Sequence, residues 1–342
     1  MRVRSAATAA ISAAALLSAG SAAAAAPTGR PAPSATVASS VANAINNRAE
    51  IVGTATTPSG VRHAMLWRTD GVVDDLGTLG GATSAAYGIN DLGEIVGVSE
   101  TASGARHAFR WAEGTMTDLG ALPGTTDCAA LDVNDRGQAV GVCRESSTPH
   151  PVLWSGGRVI DLDVQPEIGQ AYGINDRGEI IGSRLGYGLL TLYRPGQDPT
   201  VVGSSNVSSE FHIAEINDRG EIVGNGHDGD HATLWRPDLV SGEYRSTDLG
   251  TLGGGHSFAY DLNERGEAVG ESNTDSASHA FVWAKGAMTD LGTLGGTNSV
   301  AFGVNDRGEA VGWSNTADGE FHATLWSDGE VIDLGLVPDP PR

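Results

Sequence analysis

Gly88-Ile89-Asn90-Asp91-Leu92-Gly93-Glu94-Ile95-Val96-Gly97 recurs along the chain. With its asparagine as marker, the copies fall at Asn46, Asn90, Asn134, Asn175, Asn217, Asn263 and Asn305, spaced by 44, 44, 41, 42, 46 and 42 residues. Two further motifs keep step with it. One is His-Ala-x-x-Trp, as in His107-Ala108-Phe109-Arg110-Trp111, and the other is Asp-Leu-Gly-Thr-Leu-Gly-Gly, as in Asp75 to Gly81, followed by Ser84. In-phase self-similarity at this period marks a repeat architecture.

Each repeat reads as four short strands. In the second repeat these are Ser84 to Asn90, Glu94 to Val98, Arg106 to Trp111 and Met116 to Leu119. Asn-Asp-x-Gly between the first two is a tight turn, capped by asparagine and completed by a glycine free to take positive φ. No window sustains the 3.6-residue period of a helix. Four strands per 40–45 residues is the pattern of a propeller blade. One four-stranded sheet cannot bury both faces, so neighbours must stack, and a closed ring removes the unstacked ends. The expected fold is therefore all-β, a seven-bladed β-propeller of four-stranded antiparallel blades over 40–336, with an open β-solenoid as the alternative. Which strand lies innermost stays open. Two repeats depart from the pattern: the first has Ala49 at the turn glycine, and the fourth has Leu189 and Tyr193 for the histidine and tryptophan.

The three motifs together resemble the extracellular repeat family named HAF after its His-Ala-Phe tripeptide. That tripeptide stands at His107-Ala108-Phe109 and His279-Ala280-Phe281, with variants at His63-Ala64-Met65, His231-Ala232-Thr233 and His322-Ala323-Thr324. The resemblance implies a secreted repeat protein and brings no reaction with it.

Met1 to Ala26 independently reads as a secretory signal peptide. Arg2 and Arg4 precede an Ala-rich apolar run too short for a membrane anchor, which ends in an A-x-A-type cleavage site. Residues 27–39 form a Pro/Ser/Ala-rich lead-in, and 337–342 a polar tail without an anchor. The whole chain carries 21 Lys+Arg against 42 Asp+Glu, a net charge of −21, which argues against nucleic acid and anionic membranes as partners. Glycine, 48 of 342 residues, fits a protein of many tight turns.

The repeated chemistry reads as scaffold. One histidine per repeat (His63, His107, His150, His231, His279, His322) would be spread too far apart to share an ion, so no metal or cofactor is expected. With the tryptophans Trp67, Trp111, Trp154, Trp235, Trp283 and Trp326, and with a recurring Ser and Asp, they suggest a hydrogen-bonded tie within or between blades, similar to the tetrad of Trp-Asp propellers. Ser257, in a sequence like half a nucleophile elbow, holds the same repeat position as Ser84 and Ser299 and reads as scaffold too. The Asp-Arg-Gly-Glu turns read as a solvated rim.

Binding is expected where repeats differ, on the end bearing the second-to-third-strand loops and the crossovers. The candidates are Trp313, the one tryptophan outside the repeat pattern, Arg184 and Tyr187 in the odd loop of the fourth repeat, and His227, Asp228 and Asp230. Cys128 and Cys143 form the single expected disulfide. Pairing Asn134 with Gly137 across the turn sets the two cysteines opposite each other, and an exported chain meets an oxidising compartment. The leading functional expectation is a secreted, non-enzymatic binding module for an extracellular glycan or protein. An enzyme whose acid and base are carboxylates from different blades at the central channel is the competing class, and a structural envelope or matrix component is the third.

Overall fold

The computed structural model describes residues 39–146, 148–162, 169–184, 189–204, 214–226, 231–238 and 240–335. The expected signal peptide, the lead-in up to residue 38 and the tail lie outside them. All regular structure among the described residues is β. The strands form five four-stranded antiparallel sheets and one of eight strands. The eight-stranded sheet joins the second and third repeats through one parallel contact, Arg106 with Asp127. Each repeat thus supplies a four-stranded unit with its strands in chain order, and no sheet mixes strands from the two ends of the chain.

In the second repeat the strands are Gly80–Ile89, Ile95–Thr101, Arg106–Ala112 and Thr115–Asp118; the first three are longer than the sequence suggested and the fourth is shifted by one residue. The fourth repeat forms a full unit without its motif histidine and tryptophan. Leu190 and Leu192, alternating on Leu189–Tyr193, and Ile181 on the strand beside it supply buried contacts instead. First strands of consecutive repeats touch, and the last of them, Gly295–Val304, touches the first, Ser40–Ile45.

Apolar faces meet between neighbouring units. Val52, Leu66 and Leu76 of the first repeat, for example, pack with Ala86, Ile95 and Phe109 of the second. The stacking that the repeat pattern demanded is thus where the core lies.

The turns behave as their residues dictate. Gly93 has φ 82°, and the Asn90 side-chain oxygen accepts from the amides of Leu92 (3.1 Å) and Glu94 (2.9 Å). Ala49, at the same place in the first repeat, is forced to φ 58°. An L-residue pays for that conformation, so Ala49→Gly should stabilise the protein by about 1 kcal/mol in urea unfolding.

Six first strands carry a one-residue irregularity in register, as between Ala86 and Gly88. It brings a carbonyl against the facing glycine of the second strand. A Cβ on Gly97 would lie 2.0 Å from the Ala85 carbonyl oxygen, which is why that motif position is glycine.

The same irregularity corrects the argument for the disulfide. Asn134 N–H donates to Gln138 O and Gly137 N–H donates back to Asn134 O, so the strand register is set by Asn134 opposite Gln138 and not by Asn134 opposite Gly137. The bulge then removes the extra residue and returns Cys128 to a place opposite Cys143. The two are bonded. In the second, sixth and seventh repeats this pair is Ser84–Ser99, Ser257–Ser272 and Ser299–Ser314. There the second serine accepts the amide of the Leu in Thr-Leu-Gly-Gly, at 2.8 Å for Leu79. The crossover into the third repeat lacks Thr-Leu-Gly-Gly. The disulfide takes the position those hydrogen-bonded serines hold elsewhere.

Candidate functional site

The histidines are tied inside their own units. Nδ1 of His63, His107, His231, His279 and His322 lies 2.7–2.9 Å from Asp75, Asp118, Asp248, Asp290 and Asp333, and His150 lies 3.6 Å from Asp161. Serine links neighbours. Ser257 Oγ accepts the amide of Ala232 in the preceding repeat (2.9 Å) and donates to the Gly250 carbonyl (2.6 Å), so its hydroxyl is consumed in packing. Tryptophan links neighbours as well: Trp154 Nε1 donates to Gly120 O and Trp67 Nε1 to Leu334 O, each at 3.1 Å.

The Asn-Asp turns are a half-exposed rim that also ties neighbouring repeats together. The side-chain amide of each marker asparagine donates to the marker carbonyl of the next repeat, and Asn305 donates to Asn46. Beside this series runs a second. Asp91, Asp135, Asp176, Asp218, Glu264 and Asp306 each accept an amide from the preceding repeat, and Asn47 completes the set. Crowding of like charge and burial follow: burial first, then the neighbouring acids, raise the carboxyl pKa of Asp135 and of Glu264. The turn glutamates Glu179 and Glu221 are buried. Burial pushes Glu179 up, but bonds from Asn175, Arg177 and Arg194 outweigh it and hold the group below its ordinary value.

Two residues before the marker, the repeats read Ala44, Gly88, Asp132, Gly173, Glu215, Asp261 and Gly303. Three first strands therefore each carry a carboxylate at this position. All three are half-buried. Burial drives Asp132 up to about 6 and Asp261 up to about 7, and carries Glu215 well above its usual range; Asp132 and Asp261 repel the Glu215 charge further. Asp132 accepts amides from Val133 and Ile174, and Asp261 from Leu262 and Val304, each at 2.7 Å. Each of these two thus pins its repeat to the next. Among the described residues, Glu215 accepts only from its neighbour Ile216. No local motif announces this trio. Aligning the repeats on their asparagines would have found it.

A cavity of about 470 Å³ opens between the first and second repeats, at the end carrying the Asn-Asp turns. Leu66, Leu76 and Ile89 line it with the ring of Trp111, while Arg48, Glu50, Arg68 and Asp74 supply its polar wall. Trp111 is half-buried, whereas the other five motif tryptophans are no more than 6% exposed. The cause is local. Arg68 Nε donates to Asp74 at 2.5 Å and, among the described residues, makes no hydrogen bond to Glu50, although the two share the cavity wall. The corresponding Arg194 and Arg236 instead bond Glu179 and Glu221, the counterparts of Glu50, and fill their grooves.

Of the residues proposed from sequence, Trp313 lies in another repeat, away from this cavity. Trp313 is 8% exposed, with its ring inclined at 60° to that of Phe321 and their centres 5.0 Å apart, so little of it is open to a ligand. Arg184 ends the strand Ile180–Arg184, paired with Leu189. Tyr187, His227, Asp228 and Asp230 lie outside the described residues.

No protein-family model and no curated protein sequence matches the chain. Solved structures do match in fold. A puromycin-hydrolysing peptidase of Mycobacterium tuberculosis aligns with TM-score 0.60 at 12% identity, over 89% of this chain and 54% of its own. This chain thus spans about half the length of that enzyme. The β-propeller domain of the Trilobed protease from Pyrococcus furiosus, with its open velcro topology, aligns with TM-score 0.56 at 12% identity, over 88% and 100%. Virginiamycin B lyase from Staphylococcus aureus aligns with TM-score 0.54 at 10% identity, over 85% and 93%. At such identities the likeness is one of β-propeller fold.

Proposed function

We propose that this chain is a secreted, non-enzymatic binding module: a ring of seven blades that seats an extracellular glycan or protein ligand. The bond from Asn305 to Asn46, and that from the Ala323 amide to Ser40 Oγ, repeat between the two ends the links made between consecutive repeats and support a closed ring. The disulfide fits an oxidising compartment. One observation carries the binding reading. Recurrent His, Ser, Asp and Asn are spent on ties, whereas beside Trp111 the pattern is broken and leaves a lined cavity. Cavities of this size with an aromatic wall and a few polar groups are ordinary ligand seats. The seat is at the turn-bearing end, not at the loop-bearing end favoured from sequence.

Arrays of extracellular glycans and of peptides, probed with residues 27–342, test this. Saturable binding to a defined member supports the reading, and no saturable binding on either array overturns it.

The carboxylate trio favours one second reading, an enzyme with acid and base at the channel, because such groups work best with pKa values near the working pH. Hydrolytic turnover lost in Asp261→Asn, with the fold retained, would establish it.

A further inference from the structure

We propose that the groove between the first and second repeats is a receptor for a guanidinium group, either an arginine side chain presented by a peptide or a free arginine derivative. This rests on reading the chain as a binding module. The template is in the protein itself. In the groove between the fifth and sixth repeats, Arg236 donates from Nε to Glu221 Oε1 at 2.6 Å, and its guanidinium carbon lies 5.8 Å from the centre of the Trp283 ring. In the groove after the fourth repeat, Arg194 makes the same bond to Glu179 Oε1 at 2.7 Å. The chain thus twice fills this position with its own guanidinium.

Between the first and second repeats the receiving parts are present without the occupant. Trp111 corresponds to Trp283 and is half-buried. Glu50 corresponds to Glu221. Its Oε2 takes Asn46 and Arg48, while its Oε1 has no hydrogen-bond partner among the described residues. Arg68, which would bond Glu50 by analogy, is bonded to Asp74 instead and stays in the cavity wall. The strand register explains the difference. The residue paired with Leu66 is Asp74, whereas at the corresponding places Leu192 and Leu234 pair with Thr200 and Thr247. Aspartate at this register position, where the other two have threonine, engages the resident arginine and leaves Glu50 Oε1 without it.

A guanidinium suits the vacated place better than a neutral group. Its plane stacks on an indole face, its fork meets a carboxylate, and its methylene stem can lie along Leu66 and Leu76. Glu50, Asp74, Asp75 and Glu113 outnumber Arg48 and Arg68 around the cavity, so an anionic ligand is disfavoured.

The test is titration of the full mature chain, followed by the indole N–H NMR signal of Trp111, assigned with Trp111→Phe. The probes are Nα-acetyl-arginine amide, a Gly-Arg-Gly peptide, and a Gly-citrulline-Gly peptide of the same shape without the charge. Arginine probes should saturate at concentrations at least tenfold below citrulline, and Glu50→Gln should weaken them fivefold or more. Saturation by the peptide alone assigns a protein source, and equal saturation by the amide a small molecule. Asp74→Thr should release Arg68 into the groove, abolish arginine binding, and shift the Trp111 signal in the direction the ligand does. Equal affinity for arginine and citrulline, or arginine binding unchanged in Asp74→Thr, overturns the proposal. Array binding that persists in Asp74→Thr keeps the binding module but places its ligand elsewhere.

Discussion

Lowering the pH from 8 to 5 should make this protein more stable, by on the order of 4 kcal/mol. The source is the carboxylate trio. Asp132 and Asp261 titrate at about 6 and about 7 in the folded chain, because burial penalises their charged forms. Unfolded, both would titrate near 4. Between those values the folded state holds more protons than the unfolded one, so stability is complete below about pH 4 and is lost as pH rises through 6 and 7. Glu215 adds in the same direction. The order is the reverse of that for Glu179 and Glu221, whose lowered values give stability that disappears only in stronger acid. Urea midpoints at pH 5 and pH 8 measure the effect. Glu215→Gln, which imitates the protonated side chain and leaves the other two acids without that neighbour, should gain stability at pH 8, gain little at pH 5, and flatten the profile.

Replacing one marker asparagine should cost on the order of 3 kcal/mol or more. Asn217 is 5% exposed. It donates to the Asn263 carbonyl at 3.1 Å and to Glu221 at 2.9 Å, and accepts the amides of Arg219 (3.1 Å) and Glu221 (3.0 Å). Asn217→Ala breaks all four bonds and leaves Glu221 and two amides to find water where there is little. Chemical denaturation reads the loss. A cost below about 1 kcal/mol would show that the asparagine series is ornament on a ring held by apolar packing alone.

Asn217 also shows what the sequence could convey. The period, the four strands per repeat and the turn at Asn-Asp-x-Gly were legible because each follows from local chemistry repeated seven times. The histidine, serine and tryptophan ties were legible as types, since buried polar side chains need partners, though not as pairings. The partner of each asparagine was not legible, because it lies one repeat away and depends on how units stack. The bonds made by the half-exposed acids of the turns were not legible for the same reason: the amides they accept belong to a neighbour. The disulfide was found by an argument with two errors that cancel, a turn one residue wider than supposed and a bulge that takes the residue back. Trp313 stood out by breaking the pattern, yet what it touches is Phe321. Trp111 obeys the pattern, and only its surroundings, through Asp74, make it different. Function in a repeat protein can lie where a motif residue is intact and its neighbour has changed, which no single motif displays.

The claim on which the rest depends is that the seven repeats close on themselves. Small-angle X-ray scattering of residues 27–342 tests it most directly. A closed ring of about 300 ordered residues should give a radius of gyration near 19 Å and a single, nearly symmetric peak of pair distances. Seven units stacked in an open row at roughly 10 Å spacing would instead give a rod about 70 Å long and a skewed distribution with an extended tail. That second profile would contradict the ring, and with it the asparagine series that returns from Asn305 to Asn46.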